Sequence, residues 1–265
     1  RNQSAQATQA TVPTQGLVAG GGAVPGAVNS VEEFDGTNWT EKNNLTTARR
    51  LLMGAGTTTA MIGFGGLPAI QKTESWNGTS WTEVNDLLTG REYFGGAGTS
   101  TAALAIGNGP HPAPTKAYTE SYNGTSWTEV NDLTTGRASV GAAGLQTAAL
   151  CFGGYSGAED AETEEWNGTC WSEVADLNTA RGDLGGSGSS TAALAYDYDT
   201  EIWDGTTWTE GANLGTVRNY MQGMGSNSQG SGAALAAGGY SPAGQIANVE
   251  EWANPVYTIK TVTVS

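Results

Sequence analysis

Apolar and polar positions alternate with a period of two along Thr73-Glu-Ser-Trp-Asn-Gly-Thr-Ser-Trp-Thr-Glu-Val84, the rhythm of a strand with one covered face. Asn77-Gly78 interrupts the run, and both residues tolerate the positive φ that a two-residue mirror-image turn needs. The stretch therefore predicts a hairpin in which Trp76 pairs with Thr79 and Glu74 with Trp81. Glu74, Trp76, Thr79 and Trp81 then share one face. Two tryptophans on one face must be covered, and a lone hairpin cannot cover itself.

The unit recurs. A Glu two residues before an aromatic appears as Glu32/Phe34, Glu74/Trp76, Glu120/Tyr122, Glu164/Trp166, Glu201/Trp203 and Glu250/Trp252. Successive aromatics lie 42, 46, 44, 37 and 49 residues apart. A Gly-Thr and a second Trp (Trp39, Trp81, Trp127, Trp171, Trp208) follow in the first five units. Between hairpins lie a Gly/Ala-rich run such as Gly95-Gly-Ala-Gly98 and an apolar run such as Ala148-Ala-Leu-Cys-Phe152, most of these closed by Gly. About four strands per unit at this period predict a single all-β, six-bladed β-propeller over 1–265. The blades are expected near 1–48, 49–90, 91–136, 137–180, 181–217 and 218–265. Residues 5–12 are read as the first inner strand and Tyr257–Val264 as the last outer strand. Each terminal blade then owns four strands, and the ring closes by packing of blade faces. Glycine and alanine on the inner strands suit the convergence near an axis, while the aromatics suit the wider rim.

Composition narrows the function. Eleven basic residues against 26 acidic ones leave a net charge of −15, which argues against nucleic acid or an anionic membrane as partner. No apolar run approaches the length of a membrane span. The chain begins at Arg1 without a signal peptide, which suggests processing or a piece of a longer protein. A surface rich in Thr, Ser, Asn and Gly with few lysines suits life outside a cell. The two cysteines, Cys151 and Cys170, are read as unpaired, since one ends a strand far from the turn that holds the other.

Candidate sites fall into two groups. Arg49, Arg91, Arg137, Arg181 and Arg218 follow a Leu-x-Thr-like approach to each inner strand. Around an axis they would suit an anionic sugar or a partner carboxylate. The plainer reading pairs them with the repeated Glu32, Glu74, Glu120, Glu164, Glu201 and Glu250, the first unit lacking its Arg. The second group sits on loops that differ between units and share one face: Tyr93, His111, Lys116, Tyr155, Tyr196, Tyr220 and Tyr240. Function tends to reside on variable loops carried by a rigid frame. His111, the single histidine, reads as a solvated loop residue between prolines. Asp197, Asp199 and Asp204 lack the spacing of a calcium loop. The Asn-Gly-Thr turns at Asn77, Asn123 and Asn167 match the glycosylation pattern, a by-product of turn chemistry. With no catalytic triad, metal set, phosphate loop or dinucleotide fingerprint, no cofactor, metal or enzymatic activity is expected.

Arg91…Gly98-Thr-Ser-Thr-Ala-Ala-Leu-Ala105…Thr119-Glu-Ser-Tyr-Asn-Gly-Thr-Ser-Trp-Thr-Glu-Val130 resembles the Kelch repeat. The strand-ending pairs Gly65-Gly66, Gly153-Gly154 and Gly238-Gly239 match its glycines, whereas units three and five depart from the pair. The related galactose oxidase central domain is a copper enzyme, but its Tyr, Cys and His ligand set has no counterpart here. The wording also resembles Kelch-type repeats in virion proteins of phages of aquatic bacteria. That resemblance implies a non-enzymatic tail-fibre, receptor-binding or capsid-surface module. Its partners would be a host surface glycan or protein, other virion proteins, or further copies of itself. The alternatives are a secreted bacterial adhesin or filament subunit and, third, a glycan-active enzyme.

Overall fold

The structure is a computed structural model and describes residues 5–8, 15–23, 26–68, 71–108, 114–218, 224–225, 233–246, 248–253 and 260–262. It is an all-β propeller of four-stranded antiparallel sheets, and six such sheets follow one another along the chain. The first holds Ala5–Thr8, Gly16–Ala19, Val31–Phe34 and Trp39–Lys42; the second Met53–Gly56, Met61–Phe64, Thr73–Trp76 and Trp81–Glu83. The third holds Gly95–Thr99, Ala102–Ile106, Thr119–Tyr122 and Trp127–Val130; the fourth Gly141–Leu145, Ala148–Phe152, Thr163–Trp166 and Trp171–Glu173. The fifth holds Gly185–Ser189, Ala192–Tyr196, Thr200–Trp203 and Trp208–Glu210; the sixth Met224–Gly225, Ala233–Ala237, Val249–Ala253 and Lys260–Val262. Innermost strands touch their neighbours in chain order, and the first touches the last. Each terminal sheet is built from its own contiguous stretch of chain, so no strand is borrowed across the closure. Residues 9–12, 257–259 and 263–264 of the expected first and last strands lie outside the described residues. No helix among the described residues is long and apolar enough to cross a membrane, which leaves strands unaddressed.

The outer hairpin departs from the predicted register. Trp76 pairs directly with Trp81, Ser75 with Thr82 and Glu74 with Glu83, so the connection is the four residues 77–80. Asn77 is not in the left-handed region; only Gly78 is, at φ 89°. The reason lies in the Asn side chain. Its Oδ1 accepts from the backbone N–H groups of Thr79 and Ser80 at 2.9 Å each, an Asx turn that caps a longer loop. Asn123 and Asn167 do the same, and Asp35 and Asp204 fill the role in the first and fifth sheets. The two aromatics consequently pack against each other across the strands in a tilted arrangement, with ring centroids 5.1 to 5.4 Å apart and interplanar angles of 37 to 46° in sheets two to five.

Close approach at the axis explains the small inner residues. A Cβ at Gly186 would sit 2.3 Å from the carbonyl oxygen of Ala142 in the preceding sheet. Toward the rim the gap widens and aromatics fill it. Trp127 packs 4.9 Å from Phe64, and Trp208 4.9 Å from Phe152, each across a sheet boundary. The outer tryptophans of sheets two to five are 4–6 % exposed. Burying such a side chain contributes about 1.5–3 kcal/mol by area removed from water.

The indoles add a directional bond. Trp127 Nε1 donates to Thr73 Oγ1 at 3.2 Å, Trp171 to Thr119 at 3.1 Å and Trp208 to Thr163 at 3.0 Å. Each bond runs from the outer strand of one sheet to the third strand of the sheet before it. At the equivalent acceptor position the first sheet has Val31 and the sixth Val249. Trp81 and Trp39, the donors facing them, are buried at Nε1 without a hydrogen-bond partner, as is the Thr200 hydroxyl at the other end of the series.

Candidate functional site

Alternating strand directions place all the connections at two ends. The turns 57–60, 77–80, 123–126, 146–147, 167–170 and 190–191 lie at one. The loops between second and third strands, and the crossovers between sheets, lie at the other. The crossovers are built around the repeated arginines. Leu45, Leu87, Leu133, Leu177 and Leu214 anchor them in the core, and the Arg four residues later turns inward. Arg49 Nη2 lies 2.9 Å from Glu74, Arg91 2.6 Å from Glu120, Arg137 2.9 Å from Glu164 and Arg181 3.0 Å from Glu201. Arg218 bonds Glu250 in the same way.

These ion pairs are buried and hydrogen-bonded on both sides. Nη1 of Arg49 donates to the carbonyls of Gly65 and Lys72, and Nη1 of Arg137 to those of Gly153 and Glu162. In the fifth sheet, which lacks the glycine pair, the Asp197 carboxylate replaces the first carbonyl, at 2.7 Å from Arg181. The second carboxylate oxygen accepts from the crossover backbone, as when Glu74 takes the N–H of Thr46 and Glu164 that of Thr134. Burial pulls the guanidinium pKa of Arg49, Arg91 and Arg218 below the usual value, and the facing carboxylates oppose that shift. The five arginines are thus consumed inside the frame, and none is presented to an anionic ligand. Glu32 of the first sheet is only half-buried, and Arg1, which precedes Ala5 by the same step as Arg49 precedes Met53, lies outside the described residues.

Two residues after each described Arg up to the fifth sheet, the backbone enters the left-handed region. Leu51, Tyr93, Ser139 and Asp183 have φ of 59, 53, 54 and 57°. For residues with a Cβ this costs on the order of 1 kcal/mol each and persists only where surroundings impose it. Here the imposing contact is a chain of backbone bonds from crossover to crossover. Ser139 N–H donates to Tyr93 O at 2.7 Å, and Asp183 N–H to Ser139 O at 3.0 Å. The result is a rim around the loop end of the axis.

A cleft of about 530 Å³ opens on that rim between the third, fourth and fifth sheets. Tyr93, Ser139 and Asp183 line its floor, Asn108 and Thr115 one wall, and Tyr155 and Glu159 the other. The second wall is a small ladder in which Tyr155 bridges both Ala138 and Glu159. The Tyr93 phenol is held above its ordinary pKa, chiefly by burial and then by Glu92, with Asp183 adding and Arg50 opposing. The volume falls in the range of small-molecule sites.

Of the loop residues expected to bind, Tyr93 and Tyr155 come together in this cleft. Lys116 is half-buried on the stretch leading into Thr119–Tyr122, outside the cleft lining, and Tyr240 is exposed on a separate two-stranded ladder with Gln245, between the second and third strands of the sixth sheet. His111 and Tyr220 lie outside the described residues. Tyr196 is a correction. It is 2 % exposed, ends the second strand of its sheet and packs with Leu194, Leu214 and Trp252. It occupies the core position that Phe64, Ile106 and Phe152 fill elsewhere. Ser139 and Asp183 escaped the sequence reading because they share no chemistry with Tyr93; only their common step from the repeated Arg marks them. Asp197 and Asp199 face Arg181, while Asp204 caps a turn at the opposite end, so the three are not brought together. Cys151 is buried and Cys170 exposed, and both are free.

No family model matches the chain, and no curated protein matches it. Among solved structures the chain is similar to the structure of YjhT, with a TM-score of 0.78 and 11 % identity over 99 % of this chain and 97 % of that one. This likeness corrects the expectation of a chain without enzymatic activity. That expectation rested on missing motifs, and a propeller frame shared at full length with YjhT is a scaffold whose chemistry is set by its loops, so the exclusion of catalysis is withdrawn. At 11 % identity the similarity reaches the fold: this chain shares the β-propeller architecture of YjhT.

Proposed function

We propose that the chain is a six-bladed, Kelch-like propeller serving as a binding module on a phage particle, in a tail fibre, receptor-binding or capsid-surface protein. Its loop end would meet a host surface glycan or protein, or a neighbouring virion protein, outside the cell. One observation carries the reading. The exposed large apolar side chains among the described residues, Leu88, Tyr155, Tyr198, Val217 and Tyr240, all fall at the loop end, together with the cleft. The opposite end repeats Asx turns built on Asn or Asp, and none of the exposed large apolar side chains of the described residues lies there. Exposed aromatics clustered on one face mark interaction surfaces.

A thiol-directed test separates the ends. Cys170 is an exposed native thiol on the turn end, so a bulky maleimide there should leave adhesion to intact bacterial cells and surface polysaccharides unchanged. In Cys170→Ser with Ser156→Cys, the same label sits beside the cleft and should abolish adhesion. Blocking by the Cys170 label alone would overturn the proposal.

A further inference from the structure

We infer that the cleft between Tyr93 and Tyr155 takes a saccharide ring without acid groups, and that it turns sialylated, uronic and sulfated glycans away. The inference rests on the loop end being the binding face and adds the chemical class of what is bound there.

Three features point to that class. The first is size and walling: a cleft of about 530 Å³ with a tyrosine on its floor and an exposed tyrosine on its wall suits a ring with one apolar face. The second is the polar complement. Glu159 and Asp183 supply carboxylate oxygens, and Ser139, Asn108 and Thr115 supply groups able to accept from or donate to hydroxyls. An ionised carboxylate has about four acceptor positions, so it can take vicinal hydroxyls or an ammonium while keeping other bonds. The third is what the lining lacks. Among the described residues that line it there is no Lys, Arg or His, and all five repeated arginines are held in buried pairs inside the frame. An acid group entering would meet two carboxylates on a chain of net charge −15, with Arg50, which acts on Tyr93 from outside the lining, as the cation set against them.

Calorimetric titration with neutral hexose oligomers, amino-sugar oligomers and their sialylated, uronic and sulfated counterparts tests this. Neutral or amino-sugar ligands should bind at least tenfold more tightly than acidic ones. Tyr155→Ala and Glu159→Gln, both at exposed positions, should each weaken binding about tenfold while unfolding like the parent. Asp183→Asn keeps a residue type that tolerates left-handed backbone; it should weaken neutral sugars and narrow the gap to acidic ones. Equal or tighter binding of acidic glycans overturns the inference, as does binding that survives all three substitutions. If a label at Ser156→Cys blocks cell adhesion while no saccharide binds, the assigned class is wrong and the loop end stands. If that label blocks nothing, the loop-end reading falls with it.

Discussion

Sheets two to five and the first sheet obey one plan with different parts. In the former, a buried Arg–Glu pair ties each crossover to its blade, and three indole–hydroxyl bonds join consecutive blades. The first sheet leaves its Glu half-buried and meets a valine at each seam, its own Val31 facing Trp81 and Val249 of the sixth sheet facing Trp39. The aromatic pair nevertheless survives there, with Phe34 and Trp39 at 5.2 Å. The difference separates two contributions: apolar packing suffices to build a blade, whereas the polar bonds fix how one blade addresses the next.

The largest contrast should come from the ion pairs. Arg91→Met would strand Glu120 in the core and is expected to cost about 3–5 kcal/mol. Urea denaturation midpoints with unchanged slope would read it. A small loss in Arg91→Met would mean that the pair is dispensable and the contrast empty. Next come the indole bonds. Thr119→Val should cost about 1–3 kcal/mol by orphaning Trp171, and Val31→Thr should return about 0.5–1.5 kcal/mol by giving Trp81 an acceptor. A double-mutant cycle of Val31→Thr with Trp81→Phe should show that gain vanishing.

A smaller effect is pH-dependent. Burial pushes the Cys151 thiol up to about 12, with Arg137 opposing, so the folded state favours its neutral form. That contribution is complete below the ordinary thiol range and declines as pH rises from about 9 toward 12. Cys151→Ala should flatten the alkaline part of the stability curve, and thiol reagents should label Cys170 alone until unfolding. The smallest change is expected at the turns. Asp204 accepts from Thr206 and Thr207, and these backbone N–H groups lower its pKa, so its contribution is lost as pH falls through the acid range. Asp204→Asn keeps the acceptor and should remove that acid dependence with little other change.

The sequence carried the frame because its signals are chemical and periodic. The Trp76/Trp81 alternation, the Glu–aromatic step and the recurring Arg each name a partner that the fold supplies. The turn register was hidden because Asn77 acts through its side chain, whereas Asn-Gly also suits a shorter turn whose backbone does the work. Tyr196 reads as a loop residue because only three residues separate it from the next strand, and its place as the last residue of its own strand becomes visible only in the pairing with Gly185 and Thr200. The cleft was half legible: tyrosines announce themselves, but Ser139 and Asp183 matter through a shared backbone conformation that no side-chain pattern encodes.

The indole–hydroxyl bond always points backward along the chain, and residues 91–136 carry both its halves, Thr119 on one flank and Trp127 on the other. A duplicate of that segment spliced in beside the original would present a matching socket and plug to its neighbours without any redesign. A ring assembled from such self-compatible cassettes can lengthen or trade members by recombination while its seams remain in register.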